Sequence, residues 1–264
     1  MAAEEKLASL RRLLRSQGRV GVAYSGGLDS SLLLMVAVEE LGQGAVGLMA
    51  VSPAFPARER QEAIRRAEGM GARLVLVPTD ELGLEDYASN PDDRCYHCKS
   101  HIMRRLMSSA AAEGIVSLVD GINADDLHSH RHGLRAAQEL GVRSPLAEVG
   151  LGKEEIRALA RSLGLGSADR PHSACLASRI PYGERITEEK LGQVEMAEDL
   201  LRGLGAGQLR VRHHGQVARI EVLPADFPLV LAHREEIAAR LRSLGFSHVC
   251  LDLEGFRSGS LERA

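Results

Sequence analysis

The string Ser25-Gly26-Gly27-Leu28-Asp29-Ser30 decides how this chain is read. It follows a short apolar run at 19–24 and opens a helical pattern at 30–41 that Gly42 closes. A strand that turns through glycines into a helix aims free backbone N–H groups, and the positive end of the helix dipole, at one point. Glycine lets the main chain approach an oxyanion closely and take φ > 0. Ser25 and Ser30 add hydroxyl donors. Asp29 is out of place in an anion site unless a cation accompanies the anion, so it points to Mg²⁺. The string lacks the lysine of G-x-x-x-x-G-K-[ST], and it is not G-x-G-x-x-G. The competing reading is a plain strand-to-helix turn built of small residues.

Outward from this loop the pattern alternates. Strand-like runs at 45–51, 73–77 and 115–119 interleave with helical patterns at 58–70 and 100–113, and another helix is expected at 153–163. Gly71, Pro78, Asp120-Gly121 and Gly164 punctuate them. Strand–helix alternation predicts a doubly wound parallel α/β sheet with ligands at the carboxyl ends of the strands. The texture changes at Arg170-Pro171. Thr187 is placed to cap a helix to about 204, with Glu188 and Glu189 in its first turn. Strands at 208–213 and 216–223 flank His214-Gly215, and a helix at 234–244 precedes a strand at 247–253. We therefore expect a nucleotide-binding domain at 1–169 and a smaller α+β domain at 170–264.

Composition sets the outer limits. The 264 residues are 44% hydrophobic and 26% charged, enough apolar material for a packed core. A net charge of −3 argues against a nucleic-acid partner. The longest apolar run, 32–38, falls short of the roughly 20 residues a bilayer requires. The start, Met1-Ala2-Ala3-Glu4-Glu5-Lys6, has no apolar stretch of a signal peptide, so the expected compartment is the cytoplasm. Lysine occurs only at 6, 99, 153 and 190, against 29 arginines. Composition bias accounts for most of that, although clustered guanidinium forks suit oxyanions.

Four cysteines, Cys95, Cys98, Cys175 and Cys250, are too few for a disulfide scaffold. Cys95-Tyr96-His97-Cys98 is a C-x-x-C whose readings are zinc, iron–sulfur, a redox dithiol or no function. The redox reading is disfavoured because the motif is not expected to open a helix after the first strand. Zinc would take Cys175 as a third ligand and His97 or another histidine as a fourth. Three cysteines without a fourth suit a [4Fe–4S] cluster with one open iron. Cys175 sits in a Pro- and Gly-flanked loop, and neighbouring Arg179 would favour its thiolate. Cys250, in a predicted strand, reads as a small buried hydrophobe. Arg210 and Arg212 lie two apart on a strand, hence on one face, where two forks make a phosphate or carboxylate clamp. Pairing with Glu221 across the hairpin is the alternative.

The string at 25–30 resembles the SGGxDS loop of the PP-loop ATP-pyrophosphatase superfamily, which includes NAD and GMP synthetases, argininosuccinate synthetase and tRNA-thiolating enzymes. That resemblance implies attack on the α-phosphorus of ATP, giving an adenylated substrate and pyrophosphate. It implies ATP contacts at Ser25, Gly26, Gly27, Asp29 and Ser30, with Ser52 bordering the adenine. Asp120-Gly121-Ile122-Asn123-Ala124-Asp125-Asp126 resembles the second nucleotide-side loop, with Gly121 at the nucleotide and Asp126 as a further Mg²⁺ contact.

Other strings narrow the resemblance. They are Asn90-Pro91, Arg94-Cys95-Tyr96-His97-Cys98-Lys99, Ala174-Cys175-Leu176-Ala177-Ser178-Arg179-Ile180-Pro181-Tyr182-Gly183, Leu209-Arg210-Val211-Arg212-His213-His214-Gly215, and Leu251-Asp252-Leu253-Glu254-Gly255-Phe256-Arg257-Ser258-Gly259-Ser260. Together they resemble the LarE family of ATP-dependent sulfur transferases. The resemblance implies that pyridinium-3,5-biscarboxylic acid mononucleotide is adenylated on each carboxylate by MgATP. Sulfur then displaces AMP, in making the nickel-pincer nucleotide of lactate racemase. Family members divide by sulfur source. One type sacrifices a single cysteine, and the other holds a [4Fe–4S] cluster on three. Cys95, Cys98 and Cys175 match the cluster type, with Cys175 also the catalytic cysteine. Ser178, Arg179, Glu198, Arg210, Arg212 and Arg257 are the implied substrate residues, and the implied assembly is a homo-oligomer, a trimer-based hexamer. The sulfide donor is not implied.

Three other readings share parts of this pattern. A tRNA thiolase would require an RNA-binding surface, against which the net charge speaks. An ammonia-using synthetase leaves the cysteines unexplained. A non-catalytic ATP-binding module with structural zinc at Cys95 and Cys98 would bind ATP and release no pyrophosphate.

Overall fold

The computed structural model describes residues 2–128, 132–166 and 174–257. The expected domain boundary at 169/170, and the quoted residues 258–260, lie outside them. The chain runs α1 (Ala3–Gln17), β1 (Val20–Ala23), α2 (Leu28–Leu41), β2 (Ala45–Val51), α3 (Ala57–Gly69), β3 (Arg73–Pro78), α4 (Glu85–Ala88), α5 (Arg94–Ala112) and β4 (Ser117–Val119). Then come α6 (His132–Glu139), α7 (Pro145–Glu148), α8 (Lys153–Ser162), α9 (Glu188–Gly203), β5 (Leu209–His214), β6 (Val217–Val222), α10 (Phe227–Ala232), α11 (Arg234–Ser243) and β7 (His248–Leu251). Among the described residues no helix is long and apolar enough to cross a membrane.

The described residues fall into two compact units, one within Met1–Ser52, Ala57–Glu81 and Asp93–Ser173, the other within Pro53–Pro56, Leu82–Asp92 and Ala174–Ala264. In the first, four parallel strands lie in the order β3-β2-β1-β4. Val20 pairs with Ala45 on one side and Ser117 on the other, so β1 is central. All of β1 is buried, as a strand covered on both faces must be. Met103, Leu106 and Ala110 of α5 pack with Val46, Leu48 and Leu118 of the sheet. The strand order reverses between β1 and β4, and ligands in such sheets bind at that switch point, beyond the carboxyl ends of the strands. The loop at 25–30 leaves β1 there, and Asp120-Gly121 leaves β4 there.

In the second unit β5 and β6 form an antiparallel hairpin, and β7 adds in parallel. Leu209, Val211, Ile220 and Val222 face Ala197, Leu201, Ile237 and Phe246. Thr187 Oγ1 accepts the Lys190 N–H at 3.2 Å, the expected cap. Segments distant in sequence close this unit. Leu176 N–H donates to Ala54 O at 2.8 Å, and Ile186 N–H to Ala88 O at 2.8 Å. Asn90, buried and at φ 62, donates its side-chain amide to Pro181 O at 2.7 Å and Glu184 O at 2.9 Å. Asparagine tolerates the left-handed region better than most residues.

Two expectations are corrected. Cys250 is exposed, not buried, because alternation along β7 turns Val249 and Leu251 to the core and Cys250 away from it. The helix expected from 100 begins at Arg94, so Cys95 lies in its first turn and Cys98 at the start of its second, and the C-x-x-C opens a helix, though one that follows β3 and not the first strand.

Candidate functional site

The loop at the switch point is held from within and from α3. Gly27 N–H donates to Ser25 Oγ at 3.3 Å, Ser30 Oγ donates to Gly27 O at 3.1 Å, and the two hydroxyls lie 3.1 Å apart. Gly26 sits at φ +75, and a Cβ there would lie 2.3 Å from the Ala63 Cβ. Only glycine allows this approach. Arg66 donates to Gly26 O, and Tyr24 Oη to Ala63 O at 2.9 Å. The loop carbonyl thus faces α3, which leaves the start of α2 to present its N–H groups.

The loop after β4 packs onto this helix start. A Cβ on Gly121 would lie 2.8 Å from Ser30 N. Asn123 Nδ2 donates to Asp29 Oδ2 at 2.8 Å. Asp126 accepts Asn123 N–H at 3.4 Å and lies 3.2 Å from Lys153 Nζ. Ser52 is buried just past β2. The structure therefore brings Ser25, Gly26, Gly27, Asp29, Ser30, Gly121 and Asp126 to one end of one sheet. Asp29 and Asp126 supply carboxylate oxygens, the donor type that Mg²⁺ takes, beside the Asn123 amide and the Lys153 ammonium.

Asp120, in the same loop, is 2% exposed. Its Oδ1 accepts Ser144 Oγ at 2.8 Å, while Oδ2 has no hydrogen-bond partner among the described residues. Burial pushes its carboxyl up, partly offset by Lys99, and burial pushes the Lys99 ammonium down, partly offset by Asp120. In the sequence both residues belong to quoted strings, and neither is given a role of its own. Asn123 was equally hidden, inside a string read for its carboxylates.

Cys95 and Cys98, three apart at the start of α5, share a helix face. Cys95 is exposed, Cys98 half-buried, and His97 Nε2 lies 3.2 Å from Asp93 Oδ2. A thiol pair at a helix start is a soft-donor set that fits iron–sulfur or zinc. Among the described residues, no group of three His, Cys, Asp or Glu side chains could hold a metal ion within either unit.

Cys175 is exposed at the start of the second unit's sequence block. Arg179 fixes its main chain. That guanidinium is fully buried and donates to Ala174 O at 2.7 Å, Cys175 O at 2.9 Å and Ser178 Oγ at 3.0 Å. Its other edge grips Glu198, Nε to Oε1 at 2.8 Å and Nη2 to Oε2 at 3.0 Å. Arg179 therefore acts on the carbonyls around Cys175, and Glu198, itself buried, anchors Arg179 to α9. Glu198 also takes Arg202 at 2.7 Å and the Val211 N–H at 3.2 Å. Burial opposes its ionisation, but Arg179 and the other guanidinium groups outweigh this and hold the carboxyl below its usual range.

Arg212 grips Glu221 with both nitrogens, at 3.0 and 2.9 Å, and donates to Ser178 O at 2.8 Å. Arg210 differs. It makes no ion pair among the described residues, donates only to Leu209 O at 2.9 Å, and lies 5.2 Å over the Phe256 ring. Burial, together with Arg179 and Arg212, pushes it down to about 10. A half-buried guanidinium among other guanidinium groups is poised for an anion. Arg257 is exposed and pairs with Glu254.

A doubly wound parallel sheet with a Ser-Gly-Gly loop and a carboxylate at its switch point defines an ATP-binding domain of the PP-loop class. The asparagine synthase family model matches residues 4–200. An uncharacterised protein of Synechocystis is 44% identical over 98% of this chain and 98% of its own. Pyridinium-3,5-bisthiocarboxylic acid mononucleotide synthase of Lactiplantibacillus plantarum is 38% identical over 97% of this chain and 93% of its own. An uncharacterised protein of Methanocaldococcus jannaschii is 31% identical over 96% and 98%. The chain belongs to the LarE family of PP-loop proteins, and that membership supports an ATP-using enzyme.

Proposed function

We propose that this protein is an ATP-dependent sulfur transferase that turns the carboxylates of pyridinium-3,5-biscarboxylic acid mononucleotide into thiocarboxylates. The observation that carries the reading is the mooring of Cys175, an exposed thiol whose flanking carbonyls are clamped by buried Arg179, in a unit that also holds Arg210, which makes no ion pair among the described residues. In this reading residues 1–169 bind MgATP, and residues 170–264 bind the substrate and deliver sulfur.

A carboxylate is a poor acyl donor until its oxygen becomes a good leaving group. The loop at 25–30 would hold the phosphates, and Asp29 the cation, while a substrate carboxylate oxygen attacks the α-phosphorus and pyrophosphate leaves. Preorganised N–H donors and a cation are what such a transfer requires. A sulfur nucleophile then attacks the acyl carbon, the C–O bond to phosphate breaks, and AMP departs with the electron pair. Arg210 would hold an anionic group of the substrate meanwhile. Cys95, Cys98 and Cys175 would hold a [4Fe–4S] cluster, which would supply the sulfide for transfer.

Three variants test this with the cluster-loaded protein, MgATP, the dicarboxylate nucleotide and sodium sulfide under anaerobic conditions. Wild type should release pyrophosphate and AMP and form the thioacid, with an unchanged polypeptide mass. Cys175→Ala should still release pyrophosphate and form no thioacid. Asp29→Asn should do neither, and Arg210→Met should need far more substrate. Full thioacid formation by Cys175→Ala, or no substrate-dependent pyrophosphate release by wild type, would overturn the proposal. A wild-type mass lowered by the elements of H₂S would replace the cluster route with sacrifice of Cys175.

A further inference from the structure

We infer that Asn123 is the residue that positions Asp29 for the cation of MgATP. This rests on the reading of Asp29 as the cation-binding carboxylate and adds to it a fixed donor behind that carboxylate.

Asn123 is completely buried in the loop after β4. Its Oδ1 accepts two main-chain N–H groups, from Asp125 at 2.9 Å and Asp126 at 3.1 Å. Two donors on one atom settle which end of the amide is oxygen. Turned the other way, the NH₂ group would face both N–H groups and lose three hydrogen bonds. Nδ2 must therefore point toward Asp29, whose Oδ2 it meets at 2.8 Å. The loop behind it has little freedom. Gly121 lies against Ser30 N too closely for a side chain, Ala124 N–H donates to Leu151 O at 2.8 Å, and Asp125 accepts the Lys153 N–H at 2.7 Å.

The chemistry of the donor matters as much as its place. An amide is neutral, so it orients the carboxylate without cancelling the charge that a cation requires. A lysine or arginine at that point would compete with the cation for Asp29. With Oδ2 engaged, Asp29 is also disfavoured from chelating a cation with both oxygens. One oxygen per carboxylate is the mode that suits Mg²⁺, which keeps near-octahedral geometry. Partners behind a metal-binding side chain typically affect metal affinity by roughly 10- to 100-fold.

The test uses Mn²⁺ as the probe, titrated by electron paramagnetic resonance into the full chain with α,β-methylene-ATP present. Asn123→Ser keeps a short acceptor for the loop N–H groups and lacks the reach to Asp29. Its melting temperature and metal-free nucleotide affinity should match wild type, while its Mn²⁺ affinity falls roughly 10- to 100-fold. Asn123→Ala should fall at least as far. The double variant Asp29→Asn/Asn123→Ser should bind Mn²⁺ no more weakly than Asp29→Asn alone, because the effect passes through Asp29. Wild-type Mn²⁺ affinity in Asn123→Ser, with Asp29→Asn impaired, would overturn this inference and leave the reading of Asp29 standing. Multiplying losses in the double variant would overturn it as well, since Asn123 would then act without Asp29. Undiminished Mn²⁺ affinity in Asp29→Asn would remove the reading of Asp29 itself, and the inference with it.

Discussion

Replacing Arg210 by methionine should stabilise the protein while weakening its grip on carboxylates. Arg210 is pushed down to about 10, chiefly by burial and then by Arg179. Each factor of ten is 1.36 kcal/mol, so the charged form is disfavoured by about 3 kcal/mol at most. Part of the side chain remains open to water, and screening brings the working figure to about 1–2 kcal/mol. Methionine keeps an unbranched apolar stem and removes the charge. It forfeits the stacking on Phe256, about 0.5–1 kcal/mol. The net expectation is a gain of about 0.5–1 kcal/mol, a rise of roughly 1–4 °C in melting temperature for a chain of this size. A cation depressed on folding carries its penalty in full below its folded value and sheds it as pH rises through about 10. The gain should therefore be flat from about pH 6 to pH 9. Urea unfolding, with and without pyridine-3,5-dicarboxylate, measures both sides; this probe has no phosphate for the loop at 25–30. Wild type should be stabilised by the dicarboxylate through mass action and Arg210→Met much less. Arg212→Met is the contrast. It removes both Arg212 hydrogen bonds from buried Glu221, which Arg219 also holds at 2.9 Å, and should cost about 2–3 kcal/mol. If Arg210→Met loses 2 kcal/mol or more, or is protected by the dicarboxylate as wild type is, Arg210 belongs to the scaffold and the reasoning fails.

Two further substitutions probe the rest of the site. Gly121→Ala puts a methyl 2.8 Å from Ser30 N, against backbone that cannot swing aside, and should cost about 1–3 kcal/mol and weaken ATP binding measured by calorimetry; unchanged ATP affinity would show that the two loops separate freely. Arg179→Lys cannot reproduce the fork that joins Glu198 to the carbonyls of Ala174 and Cys175, and should lower thioacid formation at least tenfold with pyrophosphate release intact; equal loss of both activities would make Arg179 a general stability residue.

Local signals were legible wherever one short stretch contained the whole cause. The strand–Ser-Gly-Gly–helix turn, the Thr187 cap and the hairpin at His214-Gly215 each depend on a few adjacent residues. The start of α5 was not legible, because Cys95, Tyr96 and His97 are indifferent helix formers and tertiary packing decides the matter. Cys250 was misread for a different reason. A four-residue strand at a sheet edge exposes alternate side chains, and nothing local says which set.

The charged residues show where sequence spacing stops being sufficient. Spacing puts Arg210 and Arg212 on one strand face and offers Glu221 as a partner for either. In the observed register Glu221 lies opposite Arg210, yet the carboxylate is taken diagonally by Arg212. Arg179 takes Glu198 in the same way, from a segment 19 residues earlier. Glu198 and Glu221 thus neutralise guanidinium groups that hold the scaffold, and among the described residues Arg210 has no such partner. Three-dimensional pairing, not the count of arginines, therefore separates Arg179 and Arg212, which build the unit, from Arg210, whose proposed partner is an anion of the substrate. Asn123 follows the same logic in the first unit. Its amide is unremarkable in sequence and acquires direction only because two main-chain donors hold its oxygen.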